Sequence, residues 1–126
     1  MTIDDIKNFQ KNYSSIEDTA ANIISYIKNK YPGVLRFGRF ASYDSIEVWA
    51  DGIIVSYYDY GYDIKELDSI NVPFEAFTDG GMIPWCDGYA DPILKSIEEK
   101  KEKAKTAEEE RERKEYERLR NKFENK

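Results

Sequence analysis

Asp51-Gly52 stands between two runs built for strands, Ile46-Glu-Val-Trp-Ala and Ile53-Ile-Val-Ser-Tyr-Tyr. Asp-Gly suits a tight type I′ turn, whose two central residues both need positive φ. A two-residue turn there predicts a register: Ala50 opposite Ile53, Trp49 opposite Ile54, Val48 opposite Val55, Glu47 opposite Ser56, Ile46 opposite Tyr57. Alternation then assigns Ile46, Val48, Ala50, Ile53, Val55 and Tyr57 to a core face. Glu47, Trp49, Ile54, Ser56 and Tyr58 fall on the other, exposed one.

The hairpin needs something to pack on, and the N-terminus supplies it. Ile3, Ile6, Phe9, Tyr13, Ile16, Ala20, Ile23, Ile24 and Ile27 recur every three or four residues, the period of one helix face. Thr2 with Asp5 and Ser14 with Glu17 both resemble capping boxes, so the helix either starts once or breaks near residue 13. Tyr31-Pro32-Gly33 ends it.

Further strands are expected at Val34–Ala41, which carries Arg36 and Arg39, and, less distinctly, within Ile64–Asn71. Thr78–Asp91 reads as loop, with Asp79-Gly80-Gly81, Ile83-Pro84 and Asp87-Gly88 marking turns. Asp91-Pro92 then opens a second long helix, with aspartate as cap and proline in the first turn. Between Glu98 and Glu115 this helix has no large apolar residue; Tyr116, Leu119 and Phe123 restore a short stripe near its end. The expected fold class is α+β: an N-terminal helix packed on a small antiparallel sheet of three or four strands, followed by a long charged C-terminal helix. The expected division is a compact domain at 1–90 and the charged helix at 91–126.

Charge is distributed unevenly. Residues 41–90 hold ten carboxylates against the single cation Lys65, while the whole chain is net −6. The same stretch carries Trp49, Trp85 and six tyrosines. A surface of this sign repels nucleic acid and attracts cations or a basic protein. Asp44, Glu47, Asp51, Asp59 and Asp63 cluster on or beside the hairpin, and Trp49, Tyr58, Tyr60 and Tyr62 could supply aromatic anchors. These nine residues are the candidate partner-binding set.

Chemistry finds little support. There is no histidine, the usual general base and a common metal ligand. The single cysteine, Cys86, has acidic neighbours that disfavour its thiolate. Asp79, Asp87 and Asp91 do not follow an EF-hand pattern, and Gly80-Gly81 lacks the lysine and serine of a phosphate loop. The sequence therefore predicts no catalytic residue, no metal and no cofactor. The start lacks a basic region followed by a long apolar run, and no apolar stretch spans a bilayer, so a cytoplasmic, non-membrane protein is expected.

Short, acidic, rich in Tyr, Asn and Lys, and charged at its helical end, the chain resembles small accessory proteins of phages and mobile elements in low-GC bacteria. The resemblance is one of general composition and assigns no residue roles. It implies a host target, such as a nucleic-acid-binding or defence protein. The expected function is a non-enzymatic, inhibitor-like binding module acting through the acidic aromatic face, in one form as a nucleic-acid mimic. Two other readings stand beside it. Arg36 and Arg39 with the tyrosines could hold a small nucleotide. Tyr116, Leu119 and Phe123 could dock on another copy and build a homo-oligomer.

Overall fold

A computed structural model describes residues 1–61 and 65–124. In chain order these form α1 (Ile3–Lys30), a 3-10 turn (Gly38–Phe40), β1 (Ala41–Val48), β2 (Ile53–Asp59), β3 (Leu67–Val72), a second 3-10 turn (Phe74–Phe77) and α2 (Met82–Glu124). The fold is α+β, with α1 packed on a three-stranded antiparallel sheet in the order β1-β2-β3. The chain divides into two compact units, Met1–Pro92 and Ile93–Lys126.

Helix α1 starts at a capping box in which aspartate replaces the usual glutamate. The Asp5 N–H donates to Thr2 Oγ1 at 3.1 Å, and the Thr2 N–H donates to Asp5 Oδ2 at 2.9 Å. That backbone donor holds the Asp5 carboxyl below its usual range. The helix passes through Ser14–Glu17 without a break. Continuity keeps Tyr13 and Ile16 on the same stripe as Ile23 and Ile27, which a break at residue 13 would lose. The helix ends where the sequence places its stop: Tyr31 leaves helical geometry and Gly33 takes a φ of 92°.

Ala20, Ile23, Ile24 and Ile27 share one buried core with Ala41 of β1, Ile53, Val55 and Tyr57 of β2 and Ile70 and Val72 of β3. Burying each large apolar side chain contributes about 1.5–3 kcal/mol, so this layer is the main source of the unit's stability. Cys86 closes the core from the start of α2, where burial pushes its thiol up to about 11.

Val34–Phe40 is not the expected strand. Phe37 adopts a left-handed φ of 73°, and Gly38–Phe40 turns as 3-10 helix before β1 begins at Ala41. Leu35 is buried in the core, and the Phe37 ring meets Tyr57 edge-on at 5.8 Å. A left-handed non-glycine residue costs on the order of 1–2 kcal/mol; the ring contact and the burial of Leu35 offset it.

The hairpin exists, but its register is two residues away from the expected one. Val48 pairs with Ile53, Glu47 with Ile54, Ile46 with Val55 and Ser45 with Ser56. The Trp49 N–H donates to the Gly52 carbonyl at 2.8 Å, which centres the turn on Ala50-Asp51. Because the slip is even, the alternation of faces is kept, but Val48, expected in the core, is 55% exposed and Ala50 moves into the turn. Asp44 then bulges out between Tyr43 and Ser45, setting Tyr43 beside Tyr57.

Helix α2 begins at Met82, inside the segment expected to be loop, so Pro92 lies within the helix rather than at its start. Met82, Trp85, Cys86, Tyr89 and Ala90 repeat at helical spacing and turn toward the interior. That burial outweighs the turn preference of Ile83-Pro84 and Asp87-Gly88. Proline in the first turn is tolerated because its missing N–H would have had no helical acceptor. In the second unit the helix is charged along its length, with ion pairs one turn apart joining Glu108 to Arg111, Glu110 to Arg113 and Glu115 to Arg118.

Candidate protein-binding surface

One face of the sheet carries the core; the other is open. Across it run three rows: Ser42, Tyr58 and Leu67; Ser45, Ser56 and Ser69; Glu47, Ile54 and Asn71. The central serines are short, so the bulkier rows on either side stand above them. Past the last row, at the hairpin end, lies a pocket of about 280 Å³ lined by Trp49, Asp51, Gly52, Ile53, Ile54, Asn71 and Val72. Trp49 is 54% exposed at its edge, and Glu47 and Asp51 are exposed beside it. An indole left half in water at a pocket with an apolar floor, with one carboxylate in its lining and another on the adjoining strand, is an arrangement suited to gripping an apolar side chain from a basic segment.

The other candidate residues lie elsewhere. Asp44, on the bulge, is ion-paired with Lys65 and accepts from the Ser45 hydroxyl at 3.0 Å; the Lys65 bond holds its carboxyl below the usual range. The Lys65 ammonium also sits 4.7 Å from the centre of the half-buried Tyr58 ring. Asp59 is a correction: it is only 6% exposed, and its carboxylate accepts from the Gly61 N–H at 2.8 Å. It caps the turn after β2 and is withdrawn from the surface on which it was expected. Tyr60 is exposed but leans edge-on against Phe40 at 5.4 Å. Residues 53 and 59 bound β2, and at about 3.4 Å per residue its two ends are about 20 Å apart. Trp49 and Tyr60 therefore belong to different surfaces. Tyr62 and Asp63 lie outside the described residues.

The two arginines each rest on a neighbouring phenylalanine ring. Arg36 is ion-paired with Glu66 and rests 5.0 Å from the Phe37 ring centre; Arg39 lies 4.8 Å from the Phe40 ring. Neither lines the hairpin pocket. Tyr116, Leu119 and Phe123 are exposed on the second unit. Among the described residues no three carboxylates or thiols gather as a metal ion would require.

Two features escaped the sequence reading. Ile54 and Asn71 form part of the pocket because β3 pairs beside β2, a contact between distant segments. Asp87 joins α1 to α2: its carboxylate accepts from Tyr31 Oη at 2.5 Å and Tyr26 Oη at 2.7 Å, with Lys30 at 3.4 Å. These donors, Tyr31 first, hold its carboxyl below the usual range. The alternation of tyrosine and lysine at the end of α1 was a visible signal, but only a helical residue 87 could meet it.

Fold and surface together define a small α+β domain followed by a long charged helix, with an indole-edged pocket at its hairpin end. Compared with known protein families, curated proteins and solved structures, the chain matches none. Among the described residues no helix is long and apolar enough to cross a membrane.

Proposed function

We propose that this protein is a non-enzymatic binding module that regulates another protein through its hairpin end. The observation that carries the reading is Trp49, half in water at a pocket that Asp51 also lines, with the exposed Glu47 paired across the strands with the lining residue Ile54. Buried tryptophan anchors dominate interface energetics, and charged rims set partner choice and approach rate. The partner that fits is a protein presenting an apolar side chain within a basic segment. A host nucleic-acid-binding or defence protein has such segments. With Asp44 ion-paired and Asp59 buried, Glu47 and Asp51 are the described carboxylates of the candidate set left exposed and without such an ion pair, so the apolar anchor leads and the charge assists.

The test is capture of partners from the native cell with wild-type protein, Trp49→Ala and the double variant Glu47→Lys/Asp51→Lys. Loss of the same captured protein in both variants, with unchanged circular dichroism, supports the reading. Capture that is indifferent to both sinks it. Calorimetry against cyclic and dinucleotides covers the other reading: tight binding abolished by Arg36→Ala would replace the hairpin surface with the arginine side of the domain.

A further inference from the structure

The rings of this domain are largely covered by the chain's own cations. Lys28 lies over Tyr60, Lys30 over Tyr26 and Tyr31, Arg36 over Phe37, Arg39 over Phe40 and Lys65 over Tyr58, at 4.7–5.8 Å from the ring centres. Trp49 differs. Indole attracts cations more strongly than the other aromatic side chains do. Yet among the described residues no cation of the chain lies over this one, and it stays 54% exposed. Asp51, in the lining of the same pocket, is exposed and has no ion-pair partner among the described residues. Asn71, also in the lining, is exposed and carries an amide oxygen that accepts hydrogen bonds.

One ring, one carboxylate and one amide in a small pocket discriminate among cations. A quaternary ammonium is held by a cage of several rings, and this pocket has one. A lysine ammonium is strongly hydrated and meets its acceptors as a point charge. A guanidinium is planar and weakly hydrated. It stacks on a ring through its face and keeps the N–H groups at its edge for a carboxylate and an amide oxygen. At about 280 Å³ the pocket lies just below the ~300–1,000 Å³ of drug-sized sites, which suits one or two side chains of a peptide. The chain's own arginines are engaged elsewhere. Arg36 pairs with Glu66, Arg39 covers Phe40, Arg111, Arg113 and Arg118 meet glutamates one turn away, and Arg120 has an interaction of its own.

We infer that the basic residue recognised at the hairpin end is an arginine of the partner protein, its guanidinium stacked on Trp49 and paired with Asp51. An apolar residue next but one to it covers the floor at Ile54, since alternate side chains of an extended segment point the same way. This assignment rests on the hairpin-end reading and names the chemistry by which that surface chooses its partner.

Heteronuclear NMR of the full chain tests it, with the backbone amides of Gly52 and Ile54 as reporters. The probe is a blocked pentapeptide with a leucine and an arginine two residues apart. It is set against the same peptide with lysine, or with the uncharged isostere citrulline, in place of arginine. The arginine peptide is expected to bind about 10-fold more tightly than the citrulline one, the size of a cation–ring contact and an exposed ion pair together, and more tightly than the lysine one. Asp51→Asn and Trp49→Leu are each expected to narrow the arginine–citrulline gap about 3-fold. The gap is read within each variant, so a change in stability does not imitate the result. Equal binding of the three peptides overturns the assignment, as does preference for lysine, a gap that both variants leave unchanged, or no shift at Gly52 and Ile54 up to millimolar peptide. Self-association of the wild type that Asp51→Asn abolishes would put one of the chain's own arginines in the pocket and overturn it too. The hairpin-end reading is judged separately: a partner captured by the wild type and lost in Trp49→Ala keeps that surface even if the peptides sink the arginine.

Discussion

The backbone of Gly52 passes under the Val72 carbonyl so closely that a Cβ at position 52 would lie 2.8 Å from that oxygen. Glycine is needed here for approach, not for a left-handed turn; the positive-φ glycines are Gly33, Gly38 and Gly80. Gly52→Ala must push β3 away from the hairpin and is expected to destabilise the domain by about 1–3 kcal/mol, the usual cost of overpacking. Asp51→Ala removes an exposed side chain and should stay within about 0.5 kcal/mol. Urea unfolding of the two variants separates the roles; equal losses would restore the turn explanation.

The core is a helix on a sheet, so its centre should be the most sensitive point. Ile27→Ala deletes a fully buried side chain from the core between α1 and the sheet and is expected to cost about 2–5 kcal/mol. Chemical denaturation gives the number directly, and a loss below 1 kcal/mol would mean that α1 does not bury this face.

Acid should weaken the tie between the helices. The Asp87 carboxyl titrates below its usual value in the folded protein, while in the unfolded chain it binds its proton near 3.9. Its contribution is therefore complete above that value and is lost as pH falls through the depressed folded one. Asp87→Asn should lower the unfolding midpoint at neutral pH and flatten the stability decline on the acid side. Tyr31→Phe and Tyr26→Phe should each do the same in part. A variant with the wild-type acid slope would show that the carboxylate is not engaged.

Alkali acts through buried phenols. Desolvation raises Tyr57 to about 12, and burial with the Glu17 carboxylate at 2.8 Å raises Tyr43 as well. Unfolded tyrosine ionises near 10, so above that pH the unfolded chain releases protons that the folded one keeps, and stability falls as pH rises toward the folded values. Ultraviolet titration should show delayed phenols in the folded protein that revert to ordinary values in denaturant. Tyr57→Phe should remove one of them.

The two tryptophans should differ in access. Trp85 is half-buried and stacks on Tyr89 at 5.0 Å, whereas Trp49 stands at the pocket edge. Acrylamide, a neutral quencher that the neighbouring carboxylates do not repel, should quench Trp49 more strongly, so Trp49→Phe should lose most of the quenchable emission and Trp85→Phe should retain it. Trp49→Ala should cost little stability, because the indole is more than half in solvent.

Much of this was legible in the residues. The α1 stripe, its Thr2 cap and its stop at Tyr31-Pro32-Gly33 follow from spacing alone, and so do the hairpin and the outward position of Trp49. Alternation also places residue 59 on the side of Ile53, Val55 and Tyr57; counting Asp59 with the exposed acids overlooked its own strand position. The register was not legible, because the turn preference of Asp51-Gly52 is local and small beside the packing of a third strand on Gly52. Nor was the start of α2, where turn-forming pairs masked the helical spacing of Met82, Trp85, Cys86 and Tyr89.

By itself the sequence determined the helix over Ile3–Lys30, the hairpin of β1 and β2, and the apolar face of that helix and of β2. Those properties depend on side-chain period over a few turns or pleats. Tertiary structure alone decided the hairpin register, the early start of α2 and which carboxylates reach water. Each of those outcomes depends on a contact between distant segments: Val72 over Gly52, Asp87 under Tyr31, Lys65 on Asp44. The acidic middle of the chain became a surface of definite shape only when such contacts had buried Asp59 and engaged Asp44 and Asp87.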